Sequence, residues 1–148
     1  MNVIRAYQPI HFEALCRILA PVWGNKKATN VIRDNVSAYL RRYLKGLVKQ
    51  QNDFVILSDF TEVKVRVPAT PDDIRPIELI PEAELALALK TIAIHSFGIT
   101  PDNLITETAR VFGFKRTGGK IATILRCVYE QMLKDKVVAE IDGKVNVL

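Results

Sequence analysis

Two stretches of this chain carry nearly the same text. From Val22 the sequence reads VWGNKKATNVIRDNVSAYLRRYLKGLV, and from Val111 it reads VFGFKRTGGKIATILRCVYEQMLKDKVV. An offset of 89 positions aligns Val22 with Val111, Trp23 with Phe112, Gly24 with Gly113, Lys26 with Lys115, Lys27 with Arg116, Ile32 with Ile121 and Leu44 with Leu133. The register continues upstream through Ala20 and Ala109, Leu15 and Leu104, and Ile10 and Ile99. Solenoid units and propeller blades repeat at about 20–50 residues. A period of 89 is the size of a small domain, so the 148 residues are expected to form two units. Units this small lie near the lower limit for an independent core. They are expected to pack on each other or on something else.

Each unit shows the same order of signals. In the second, Pro81 opens a helical pattern, PEAELALALKTIAIHSF, with Leu85, Leu89 and Ile92 at helical spacing. Its early glutamates suit a helix N-terminus. Gly98 ends it and Ile99 is a very short extended segment. Thr100 or Asp102 caps a second helix that runs to Phe112, and Gly113 breaks it. A third helix is expected from about Thr117 to Lys134, with a buried stripe at Ile121, Leu125, Val128, Met132 and Leu133. Asp142-Gly143 between two short alternating runs marks a β-hairpin. The first unit repeats this order, with its stripe at Ile32, Val36, Tyr39, Leu40, Tyr43 and Leu44 and Asn52-Asp53 at the hairpin tip.

Helix, short strand, helix, turn, helix and hairpin is the order of a winged helix-turn-helix. The expected fold is therefore α+β, mostly helical, with tandem winged helix-turn-helix repeats. Residues 1–60 form the first unit, 61–80 a Pro-rich connector and 81–148 the second unit. In the connector, Glu62 to Val67 alternates between valines and charged residues, the pattern of a short strand or a stiff linker. The first unit has only Met1 to about Tyr7 where the second has a full helix. The chain is thus expected to be the C-terminal part of a longer protein, or to have that face covered by another element.

Charge is unevenly spread. Residues 1–66 carry a net +6 and residues 67–148 a net −1, which together give the +5 of the whole. Such asymmetry points to an acidic partner such as nucleic acid, or to a solvated basic surface. No apolar run approaches the ~18 residues of a membrane span. The first residues lack the basic-then-apolar pattern of a secretory signal. Cys16 and Cys127, in helical patterns, read as buried thiols of a reducing compartment. The expected location is cytoplasmic.

The third helix of the first unit is the best functional candidate. At helical spacing, Asn30, Arg33, Ser37 and Arg41 share a face opposite the apolar stripe, with Lys26 and Lys27 just before it. In helix-turn-helix proteins this helix enters the major groove while flanking Lys and Arg hold phosphates. Arg33 and Asn30 suit guanine and adenine edges. Lys49, Gln50 and Gln51 fall in the wing. In the second unit the matching face is Gly119, Ala122, Arg126 and Glu130, and the wing carries Glu140 and Asp142. Carboxylates there repel phosphate, so Lys115, Arg116, Lys120 and Arg126 are secondary candidates.

Other motifs fail. Gly113 to Lys120 resembles a phosphate loop superficially. Its Gly-Lys comes one residue late, Ile121 stands where Ser or Thr is required, and a helix precedes it. His11 and His95 have no second ligand at metal spacing. Trp23 and Phe112 are read as core plugs. No nucleophile or paired-carboxylate signature emerges, so neither catalysis nor a cofactor is expected.

The run RPIELIPEAELALAL, followed by LITETARVFGFKRTGGKI and a closing hairpin, resembles an uncharacterised bacterial domain family. That family is appended to the C-terminus of very large superfamily I helicases, often after a very-short-patch-repair-like nuclease domain. PIHFEAL…WGNKKATNVI is similar to the companion repeat that precedes it. GFKRTG, Gly113 to Gly118, is the most specific piece. The first unit departs from it, with Asn25 for the aromatic and Ala28-Thr29 for Thr-Gly. The resemblance implies a non-catalytic accessory region of a helicase, whose motor and nuclease centres lie elsewhere. Two functions are thus expected: nucleic-acid binding, DNA in the first instance, or docking onto the helicase or a partner subunit.

Overall fold

Left-handed backbone punctuates the chain at matching places. Gly24 (φ 73°) and Gly113 (φ 90°) stop the second helix of each unit, where a side chain would strain the backbone. Both hairpin tips have two consecutive positive φ values, Asn52-Asp53 and Asp142-Gly143. That is the type I′ geometry, whose twist matches the flanking strands. Gly46 and Lys136, also left-handed, lead from the third helix into each hairpin.

The computed structural model describes all residues from Met1 to Leu148. The chain is α+β with six α-helices and small antiparallel sheets, about 53% helical. It divides into two units, Met1–Glu62 and Val63–Leu148.

The first unit starts with the short helix α1 (Asn2–Tyr7), then strand β1 (Ile10–His11) and helix α2 (Phe12–Leu19). His11 caps α2, its Nδ1 accepting the Glu13 N–H at 3.1 Å. A 3-10 turn over Ala20–Trp23 leads to Gly24. The Thr29 hydroxyl caps helix α3 (Asn30–Tyr43), accepting the Ile32 N–H at 3.3 Å. Strands β2 (Val48–Gln51) and β3 (Phe54–Leu57) form the hairpin, and β1 adds to β3 through Ile10 opposite Val55, giving the order β1-β3-β2. The core gathers Ile4, Leu15, Ile32, Val36, Leu40, Leu44, Val55 and Leu57. Burying each such side chain contributes roughly 1.5–3 kcal/mol.

Two expectations about this core are corrected. Tyr39 and Tyr43 are not part of the buried stripe; both are exposed, and their rings meet with centroids 5.1 Å apart. Trp23 is likewise no core plug, whereas Phe112 is buried as expected.

The second unit contains helices α4 (Glu82–His95), α5 (Pro101–Val111) and α6 (Gly119–Lys134), then the hairpin β4 (Val138–Ile141) and β5 (Lys144–Val147). α6 begins at Gly119 rather than Thr117. Ile99 forms no strand, yet its carbonyl accepts the Val145 N–H at 2.8 Å. That single bond takes the place of the β1–β3 pairing. Cys16 is buried as expected, but Cys127 lies on the exposed side of α6.

The expected connector belongs to the second unit from Val63 onward. No strand forms over 62–67. Instead Ile77 and Ile80 enter the core and Val65 packs against it. The anchor is Glu84, which is 0% exposed. Its carboxylate accepts from the Arg66 N–H at 2.8 Å and from two Arg75 nitrogens at 2.5 and 3.0 Å. The Arg75 guanidinium also sits 5.9 Å from the Phe112 ring centroid. A buried carboxylate needs such partners to remain charged. Burial and the neighbouring Arg75 lower the Arg66 pKa, and Glu84 opposes this.

Candidate nucleic-acid interface

The Gly24 turn and the Thr29 cap fix the segment that carries Lys26 and Lys27. Both lysines are exposed and have no carboxylate partner. At the same place in the second unit, Lys115 and Arg116 are also exposed and unpaired. An unpaired basic pair just before the third helix is therefore common to both units.

On α3 the arrangement differs from the expectation. Arg33 does not extend freely from the helix. Its Nε lies 2.6 Å from Glu13 Oε1 and its second terminal nitrogen 3.0 Å from Oε2, while the other terminal nitrogen donates to Asn30 Oδ1 at 3.0 Å. The donors that would meet a guanine edge are already engaged. This bidentate geometry is the strong form of a charged hydrogen bond, and it braces α2 against α3. The Arg33 bond holds the Glu13 carboxyl below the usual glutamate range, against an opposing effect of burial.

Ser37 is half-buried and Arg41 is exposed on the same side of α3. Asp34 falls about 40° from Asn30 and 20° from Arg41 on a helix that turns about 100° per residue. An acid thus stands within the face expected to be basic. Arg41 and Arg42 also occupy the last turn of α3, where cations oppose the helix dipole. On the hairpin, Lys49 and Gln51 are exposed and, two residues apart on β2, point to one side.

In the second unit two of the four candidate cations are engaged. Lys120 Nζ pairs with Glu78 at 3.1 Å, and Arg126 pairs with Asp102 at 2.5 Å. Glu140 of the hairpin accepts the Tyr129 hydroxyl at 2.7 Å, and burial together with this bond pushes the phenol pKa up.

The residue missed in the sequence is Glu13. Its signal was present, because Asp102 stands 89 residues later and also lies in the first turn of its helix. Each acid takes an arginine from the following helix, but Arg126 aligns with Ser37, one turn beyond Arg33. No helix is long and apolar enough to cross a membrane. Comparison with protein-family models, with curated proteins and with solved structures finds nothing that matches this chain.

Proposed function

We propose that the chain is a tandem of two winged helix-turn-helix units and a non-catalytic, nucleic-acid-binding accessory region of a larger helicase–nuclease protein. The observation that carries the reading is the exposed, unpaired pair Lys26-Lys27 ahead of α3, repeated as Lys115-Arg116. Lys49 and Gln51 on the hairpin extend the basic surface of the first unit, and Arg41 extends it along α3. With Arg33 held by Glu13, the grip falls on phosphates rather than base edges. Such contacts position a protein on a duplex without reading its sequence. The order of helices and hairpin supports the winged-helix reading, and the GFKRTG resemblance supports the helicase association.

The test is a titration with single- and double-stranded DNA and RNA at two salt concentrations. Duplex affinity should fall steeply with salt. Replacing Lys26 and Lys27 by alanine should lower the slope of log affinity against log salt by about 2. Absent or salt-insensitive binding at about 50 mM salt defeats the proposal.

A further inference from the structure

The second unit carries two cations that the first lacks, and an acid holds each of them. In the 89-residue register Lys120 stands where the first unit has the exposed Val31, and Arg126 where it has Ser37. Lys120 Nζ lies 3.1 Å from Glu78, and Arg126 lies 2.5 Å from Asp102. Lys115 and Arg116, the pair common to both units, are exposed just before α6. Glu78 belongs to a 3-10 turn over Ile77–Leu79, and Ile77 and Ile80 on either side of it are buried in the core. Asp102 sits in the first turn of α5, behind the Thr100 cap. The backbone thus presents both carboxylates to α6 at fixed places. The bridges themselves are weak. All four side chains are at least 45% exposed, and an exposed pair shifts an equilibrium by a factor of about five at most. A phosphate can take either cation from its acid at little cost.

We propose that α6 and the residues just before it form a second phosphate-binding site, and that Glu78 and Asp102 set its threshold by occupying two of its four cations. The inference rests on the nucleic-acid reading given above. The occupant is the backbone of a duplex, bound without regard to sequence. Stability alone is a poor reason for the two bridges. Solvent screens them, and the buried Glu84 already ties Arg66 and Arg75 to α4. Their main effect falls on the surface, where they cancel charge at the two places the second unit adds it.

Cys127 reports the site. It lies on the exposed side of α6, two turns beyond Lys120 and about 20° from it around the helix. The only other thiol, Cys16, is buried. The test starts from Lys26→Ala with Lys27→Ala, which silences the pair of the first unit, and uses a random-sequence DNA duplex at about 50 mM salt. Adding Glu78→Gln should tighten binding about threefold, and adding Asp102→Asn as well about tenfold. Duplex should slow alkylation of Cys127 in the tighter variant. Lys120→Ala should cancel the gain from Glu78→Gln. Glu107→Gln makes the same charge change at the exposed pair with Arg110 and should give no gain. All the substituted side chains are exposed, so the variants should fold as the parent does, which circular dichroism checks. The inference is overturned if the Gln–Asn variant binds no tighter than its background, if Glu107→Gln matches Glu78→Gln, if the gain survives Lys120→Ala, or if duplex leaves the alkylation rate of Cys127 unchanged. If the unmodified chain binds duplex and the Gln–Asn variant gains nothing, this inference falls alone; if neither binds, the nucleic-acid reading falls with it.

Discussion

Glu13 on α2 and Arg33 on α3 meet through two bonds, at 2.6 and 3.0 Å, and tie the two helices together. The pair ties pH to the stability of the first unit. The folded Glu13 carboxyl titrates below its ordinary value of 4.5. Its stabilising effect is therefore complete above that value and drains away as pH falls through the lower, folded value. Glu13→Gln should melt at a lower temperature than the parent near neutral pH, and the gap should close on acidification. Thermal melts from about pH 7 to pH 3 check this. A gap that stays constant would mean that the charge of Glu13 is immaterial.

Glu84→Ala should be among the most damaging single changes. It strips the anion from Arg66 and Arg75 at a site with no solvent access to the carboxylate. Breaking a buried pair from one side costs about 3–5 kcal/mol. Arg75→Lys should also destabilise the second unit, since a lysine cannot supply both bonds to the carboxylate and stack on Phe112. Urea denaturation followed by circular dichroism measures both.

Gly24→Ala and Gly113→Ala should differ. Each forces a side chain into the left-handed region, at roughly 1–2 kcal/mol. Around Gly24 an added Cβ meets nothing within 4 Å, but at Gly113 it would stand 2.7 Å from Ile74 Cγ1 and 3.0 Å from Pro68 Cγ. The Gly113 variant should therefore lose about 1–3 kcal/mol more, which paired denaturation curves would reveal.

The two thiols should react at very different rates. Burial pushes the Cys16 pKa up to about 11, with Glu13 reinforcing the shift, while Cys127 is exposed. The thiolate is the reactive species. Native protein should show one fast thiol in a colorimetric thiol assay, removed by Cys127→Ser, and unfolded protein two. A fast thiol that survives Cys127→Ser would contradict the burial of Cys16.

Local signals were readable in the sequence where local chemistry decides the backbone. Gly24, Gly113 and the tip Asp142-Gly143 announced their turns, because few residues tolerate positive φ. The run Ile32, Val36, Leu40 and Leu44 announced the buried face of α3 through its period. What stayed hidden depends on distant partners. Glu84 read as a residue suited to a helix N-terminus, yet it is buried by arginines 9 and 18 residues away in sequence. Arg33 read as a free cation because its acid lies 20 residues upstream. Tyr39 and Tyr43 had the right spacing for a core and Trp23 matched the buried Phe112, but neither spacing nor alignment reveals what packs over a side chain. Of the candidate site residues, Lys26 and Lys27 are exposed, while Arg33 is engaged by Glu13.

The register between the units is 89 residues as far as Leu44 and Leu133, but 90 from the left-handed pair Gly46 and Lys136 through both hairpins. α3 has 14 residues and α6 has 16, or about 21 and 24 Å at 1.5 Å per residue. The third helices of the two units are thus of unequal length, and each hands the chain to its hairpin at a different height. Transplanting lysines from the first unit onto the second would change the charge of the second unit but not the length of its third helix.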